Sequence, residues 1–155
     1  MKKFFLIALS FVFLLSCTTS RKSNKQTSGN QDSEKSANGI TNKYWKLVKL
    51  EGKNVTMAKN QERETYFTLK PDGMQVTGFS GCNSFNGVYT LEAGWRIRFS
   101  QMASTLKACP DVNVDEREFL KVFELTDNYT LTGDTLSLNV GRRAPLAVFT
   151  AVYFK

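Results

Sequence analysis

The chain contains no histidine, only three cysteines and only three prolines in 155 residues. The first two scarcities each exclude something. Without imidazole, serine and thiol hydrolases of the common kinds have no base. With so few cysteines and no histidine, a structural zinc site of four Cys and His ligands cannot form once Cys17 is assigned elsewhere, as argued below. The apolar run near the start, Phe4–Leu15, is twelve residues long, short of the roughly 20 that a membrane-crossing helix needs. A one-signed surface is missing too. The formal net charge of +7 comes mostly from Lys2, Lys3 and a basic polar stretch after them. Residues 44–155 are close to balance, which argues against nucleic acid as a partner.

The N-terminal segment has the order of an export leader: basic "MKK", the apolar run, then Leu14-Leu15-Ser16-Cys17. That tetrad resembles a bacterial lipobox, which implies cleavage before Cys17 and a lipid on its sulfur. An ordinary secretory signal with a chance cysteine is the alternative. Residues 18–43 hold only Ala37 and Ile40 as aliphatic side chains. Such a composition cannot bury enough surface to order itself, so a tether is expected, with a reach of about 28 Å. The expected layout is a leader over 1–16, a lipidated Cys17 with its tether over 17–43, and one folded domain over 44–155. Thr18 and Thr19 lack the aspartate that retains some lipoproteins in the inner membrane. By that analogy the anchor sits in the outer membrane and faces the periplasm.

Alternating polarity dominates the folded part. "TYFTLKPDGMQVTGF" and "YTLTGDTLSLNV" read as hairpins turning at Pro71-Asp72-Gly73 and Gly133-Asp134. "WRIRFS" places Trp95, Ile97 and Phe99 on one face. The apolar phase of "YWKLVKLEG" slips between Leu47 and Val48, which predicts a bulge. "APLAVFTAVYF" is apolar on both faces and predicts a strand covered on both sides. Only "NVDEREFLKVFELT" has helical spacing, with Asp115 as N-cap, Glu118 at the third position and Val114 set to pack on Phe119. The expected fold is α+β, mostly antiparallel: a small curled sheet or cracked barrel of seven or eight strands with one main helix, about 115–126.

The densest motif is "TGFSGCNSFNG", residues 77–87. "GFSGC" approaches the Gly-x-Ser-x-Gly nucleophile elbow, but Cys82 replaces the second glycine and the segment lies between strands. With Cys17 assigned to lipid, Cys82 and Cys109 remain in an oxidising compartment and are expected to form a disulfide. Two free buried thiols are the alternative. Gly78 and Gly81 would permit close approach or positive φ around Cys82, and Asn86-Gly87 reads as the tip of a further tight turn. Asp111, Asp115, Glu116 and Glu118 lie close in sequence without EF-hand spacing, so no metal is expected there.

"GFSGCNSFNGVYTL", "RIRFSQMASTLKAC" and "EREFLKVF" together resemble the META domain of HslJ-like bacterial lipoproteins. The matching motif residues are Gly81, Cys82, Asn83, Thr105 and Cys109, and Trp45 matches the tryptophan that opens such domains. Lys107 departs from the apolar residue usual at its position, which leaves the depth of that loop open. The resemblance implies a β-rich domain shaped like the cracked barrels of secretin-pilot lipoproteins and an association with envelope stress. It implies no catalytic residue and no cofactor. The function expected is therefore a non-catalytic, monomeric envelope lipoprotein that binds a protein or envelope component. One alternative is a barrel binding a small apolar ligand or lipid, given Phe67, Phe79, Phe85, Phe99, Phe149 and Trp95. Another is an enzyme built on Ser80 with a lysine, or on Glu116 and Glu118.

Overall fold

In the computed structural model, residues 39–154 are described. The leader, Cys17 and the stretch through residue 38 lie outside the described residues. Nine strands run antiparallel: β1 (Tyr44–Leu50), β2 (Lys53–Asn54), β3 (Tyr66–Lys70), β4 (Gln75–Phe79), β5 (Ser84–Glu92), β6 (Arg96–Ser104), β7 (Asn128–Thr132), β8 (Thr135–Asn139) and β9 (Ala147–Val152). Among the described residues the long α-helix, α1 (Glu116–Leu125), sits between β6 and β7 in the chain, and a short 3-10 turn, Asp72–Met74, joins β3 to β4. The ninth strand beyond the expected seven or eight is the two-residue β2.

The order β2-β1-β3-β4-β5-β6-β7-β8-β9 closes on itself, because β1 also pairs with β9. The ring has one seam. β6 meets β7 at a single residue pair, Arg96 with Asn128, whereas β5 and β6 pair along most of their length. Curling thereby pairs the strand edges elsewhere in the ring, and the seam is where β6 beyond Arg96 and β7 beyond Asn128 lack each other as ladder partners.

Alternation drives one face of every long strand inward. Trp45, Phe67, Leu69, Val76, Ile97, Leu136 and Phe149 are buried there. The helix supplies the rest of the filling. Its stripe of Phe119, Val122 and Phe123 is buried, and Phe123 meets Phe67, Phe85 and Phe99 at ring-centroid distances of 5.5, 5.1 and 5.0 Å. Two of these contacts are edge-to-face, the geometry favoured by the ring quadrupoles. The centre of the ring is thus packed with the protein's own aromatic rings.

The helix begins where expected. The Asp115 carboxylate accepts hydrogen bonds from the backbone N–H groups of Arg117 (2.9 Å) and Glu118 (3.1 Å). Asp115→Ala should cost about 1 kcal/mol, read as a lower urea midpoint at unchanged slope.

The bulge in β1 falls at the predicted place: Leu47 pairs with Phe149 and Lys49 with Val148, leaving Val48 as the extra residue. Four expectations need correction. Trp95 does not share the inner face of β6. It stands in the turn before the strand, at φ +62° and 48% exposed, because the three-residue turn ends with it. Asn86-Gly87 is no turn but lies within β5, where the register against β6 shifts between Asn86 and Val88. The outer face of β9 is half-buried rather than covered, since among the described residues no second layer packs on the ring there. Finally, packing begins upstream of Tyr44: Ile40 is buried, its carbonyl accepts a 2.8 Å bond from Trp45 Nε1, and the Asn42 N–H donates to the Leu69 carbonyl at 2.8 Å.

Candidate functional site

The motif residues meet at one end of the ring. After β4 the chain turns through Ser80–Asn83 into β5, with Phe79 paired to Ser84. Gly81 takes φ +101° in this turn, a conformation that L side chains rarely adopt. Gly78, within β4, serves close approach instead. A Cβ there would lie 2.4 Å from both the Phe85 ring and the Tyr66 carbonyl oxygen.

Asn83 is the centre of the site. It is buried, and its amide uses every donor and acceptor it has. Nδ2 donates to Glu116 Oε2 at 2.7 Å and to the Lys107 carbonyl at 3.1 Å. Oδ1 accepts from Thr105 Oγ1 and from the Lys107 N–H, both at 2.7 Å. Ser80, also buried, donates its hydroxyl to Glu116 Oε1 at 2.8 Å and accepts the Asn83 N–H at 3.0 Å. Its single proton goes to the carboxylate, the stronger acceptor. The Cys82–Cys109 disulfide, with Cα atoms 5.7 Å apart, lies beside this network.

Gly81, Cys82, Asn83, Thr105 and Cys109 therefore form one junction between the β4–β5 turn, the loop after β6 and the first turn of α1. Glu116 is the member that sequence reading misses. At the start of a helix a glutamate has a sufficient local reason in the helix dipole, and nothing local marks a partner 33 residues away. Glu118 is exposed and takes no part. Asp115 is committed to capping. The serine of the elbow-like motif is buried and donates to the Glu116 carboxylate, which ties the β4–β5 turn to the start of α1.

Pinned from inside, the loop after β6 presents its outer side to solvent. Leu106 is 95% exposed, and Thr105, Lys107 and Ala108 are exposed as well. Lys107 contributes its backbone to the junction and leaves its side chain outside, which accounts for the departure from an apolar residue. A cleft of about 180 Å³ adjoins the loop, lined in part by Gln61, Glu62, Phe79, Cys82, Lys107 and Cys109. At its lip the Glu62 carboxyl is held below its usual range, first by its hydrogen bond to Arg63 and then by that residue's charge. The Arg63 guanidinium lies 4.8 Å from the Phe79 ring centroid, within cation–π range.

An antiparallel ring with one seam, filled by a single helix and clamped by a turn–loop–helix junction, defines the class of domain. Residues 38–153 match the META domain model, and the chain belongs to that family. Among solved structures it is similar to an NMR structure of a protein from Burkholderia xenovorans, at 20% identity over 77% of this chain and 88% of that one, with a TM-score of 0.57. A second NMR structure is similar at 18% identity over 72% of this chain and 90% of that one, with a TM-score of 0.56. At these identities the likeness is one of fold. Curated proteins give no match.

Proposed function

We propose that this chain is a non-catalytic, lipid-anchored module of the bacterial cell envelope. It works as a monomer by holding another envelope component, a protein above all, in the response to envelope stress. The anchor reading rests on the sequence around Cys17, with the outer membrane facing the periplasm as its place. The binding reading is carried by one observation: Leu106, 95% exposed, stands on a loop whose backbone is fixed from beneath by Asn83. Presenting an apolar side chain on a rigid loop lowers the ordering cost of association. The buried Ser80 and the lack of histidine support a role without chemistry.

A photo-crosslinking amino acid at position 106 in living cells tests the binding role. A discrete adduct that Leu106→Ser at the same loop no longer competes for is the expected result. Uniform background labelling under stressed and unstressed growth would sink it. Labelled fatty acid should enter the wild-type chain and not Cys17→Ser. Retained label in that variant would remove the anchor.

A further inference from the structure

The opposite side of the β1–β3–β9 region carries a feature that the clamp does not explain. Trp45 and Phe67 point into the ring, so their neighbours Tyr44 and Tyr66 point out. These two rings stack at 4.1 Å, and Phe154 meets Tyr44 edge-on at 5.1 Å. Phe154 is 74% exposed and Tyr153 63% exposed. An open cleft of about 560 Å³ runs beside them, lined in part by Lys43, Tyr44, Lys70, Val152, Tyr153 and Phe154. Lys46 is offset by Glu64 at 2.8 Å. Asp72 borders the cleft and Asp134 accepts the Tyr153 hydroxyl at 2.6 Å, so Lys43 and Lys70 bring the rim to balance, and the basic excess lies in the sequence upstream. Burial, and then the Glu64 carboxylate, push the Tyr44 hydroxyl well above its usual range, so that ring stays neutral.

We propose that this rim is a membrane-contact surface, seating the domain on the headgroups of an anionic bilayer. Amphipathic rings with lysines beside them suit the headgroup zone, where a ring can be half-immersed and an ammonium can reach phosphate. The path of the chain selects a bilayer as the occupant. Ile40 to Lys43 arrive at this rim, against Leu69 and Lys70. The sequence upstream, back to Cys17, has the composition of a tether and includes Arg21, Lys22, Lys25 and Lys35. The inference rests on the reading of Cys17 as the anchor. On that reading about 21 intervening residues keep the rim at an r.m.s. distance of roughly 25 Å from the lipid. The patch then sees lipid at an effective concentration on the order of millimolar. A surface too weak to bind unaided is engaged under that condition.

The test uses the chain expressed with its own leader, its intact mass establishing whether Cys17 is acylated. The protein is mixed with phosphatidylglycerol–phosphatidylethanolamine vesicles containing a diazirine-bearing phospholipid, and adducts are mapped after illumination. If the mass shows no acyl chain, the anchor reading fails by itself. The vesicles are then raised to millimolar lipid to replace the lost tethering. In either case adducts should concentrate on residues 42–46 and 152–154. Lys43→Gln with Phe154→Ser should lower that labelling by about fivefold or more, since one lysine near such a surface is worth that factor, while labelling between 18 and 38 is unchanged. Adducts confined to the segment before residue 39, or gathered around Leu106, would overturn the proposal.

Discussion

Asn83→Asp should destabilise the domain by about 3 kcal/mol or more at neutral pH, although it changes a single NH₂ for an oxygen. The wild-type amide donates to Glu116 Oε2 at 2.7 Å. In the variant, two carboxylates face one another where Asn83 is buried, and the Lys107 carbonyl loses its donor as well. Like charges so placed favour a shared proton, which raises a carboxyl pKa in the folded variant above its unfolded value. The sign follows: the folded variant binds the extra proton, so the defect is small at acid pH and grows as pH rises through the carboxyl range. Urea melts of the variant and wild type across that range measure it. Adding Glu116→Gln restores a donor between the two positions and should recover a large part of the loss. A pH-independent defect with no recovery would mean that Asn83 and Glu116 are not coupled.

Replacing both Cys82 and Cys109 by serine should cost about 3.6 kcal/mol on the chain-entropy estimate for the loop they close, with a sequence separation of 27. In a domain of this size that corresponds to a fall in Tm of roughly 10–20 °C. The consequence is sharper locally. Asn83 sits next to Cys82, so freeing the loop also loosens the hydrogen bonds that fix Thr105 and Lys107. The reduced wild-type chain should match the double variant. If reduction leaves Tm unchanged, the Asn83 junction alone carries the clamp.

Where a feature of this fold has a local cause, it was legible in the sequence. The extra Val48 in β1, the hairpins at Asp72-Gly73 and Gly133-Asp134, and a helix opening on Asp115 each follow from a few adjacent residues. The motif residues were legible as a group. Their wiring was not, because the Asn83–Glu116 contact depends on α1 returning to the β4–β5 turn, a matter of tertiary packing. Trp95 misled because alternation says which residues share a face, not where the strand begins. Asn86-Gly87 misled because the same dipeptide that makes a tight turn also suits a bulge, and only the partner strand decides between them.

The pairing of β1 with β9 has a temporal side. These neighbours lie at opposite ends of the folded sequence, Tyr44 against Val152, so circular closure is deferred until the last strand has been delivered. Whenever the polypeptide emerges N-terminus first, whether from a ribosome or a translocation pore, it passes through a stage in which β1 has one side unclaimed and open to foreign strands. Deleting β9 itself, Ala147–Val152, would make that passing stage permanent.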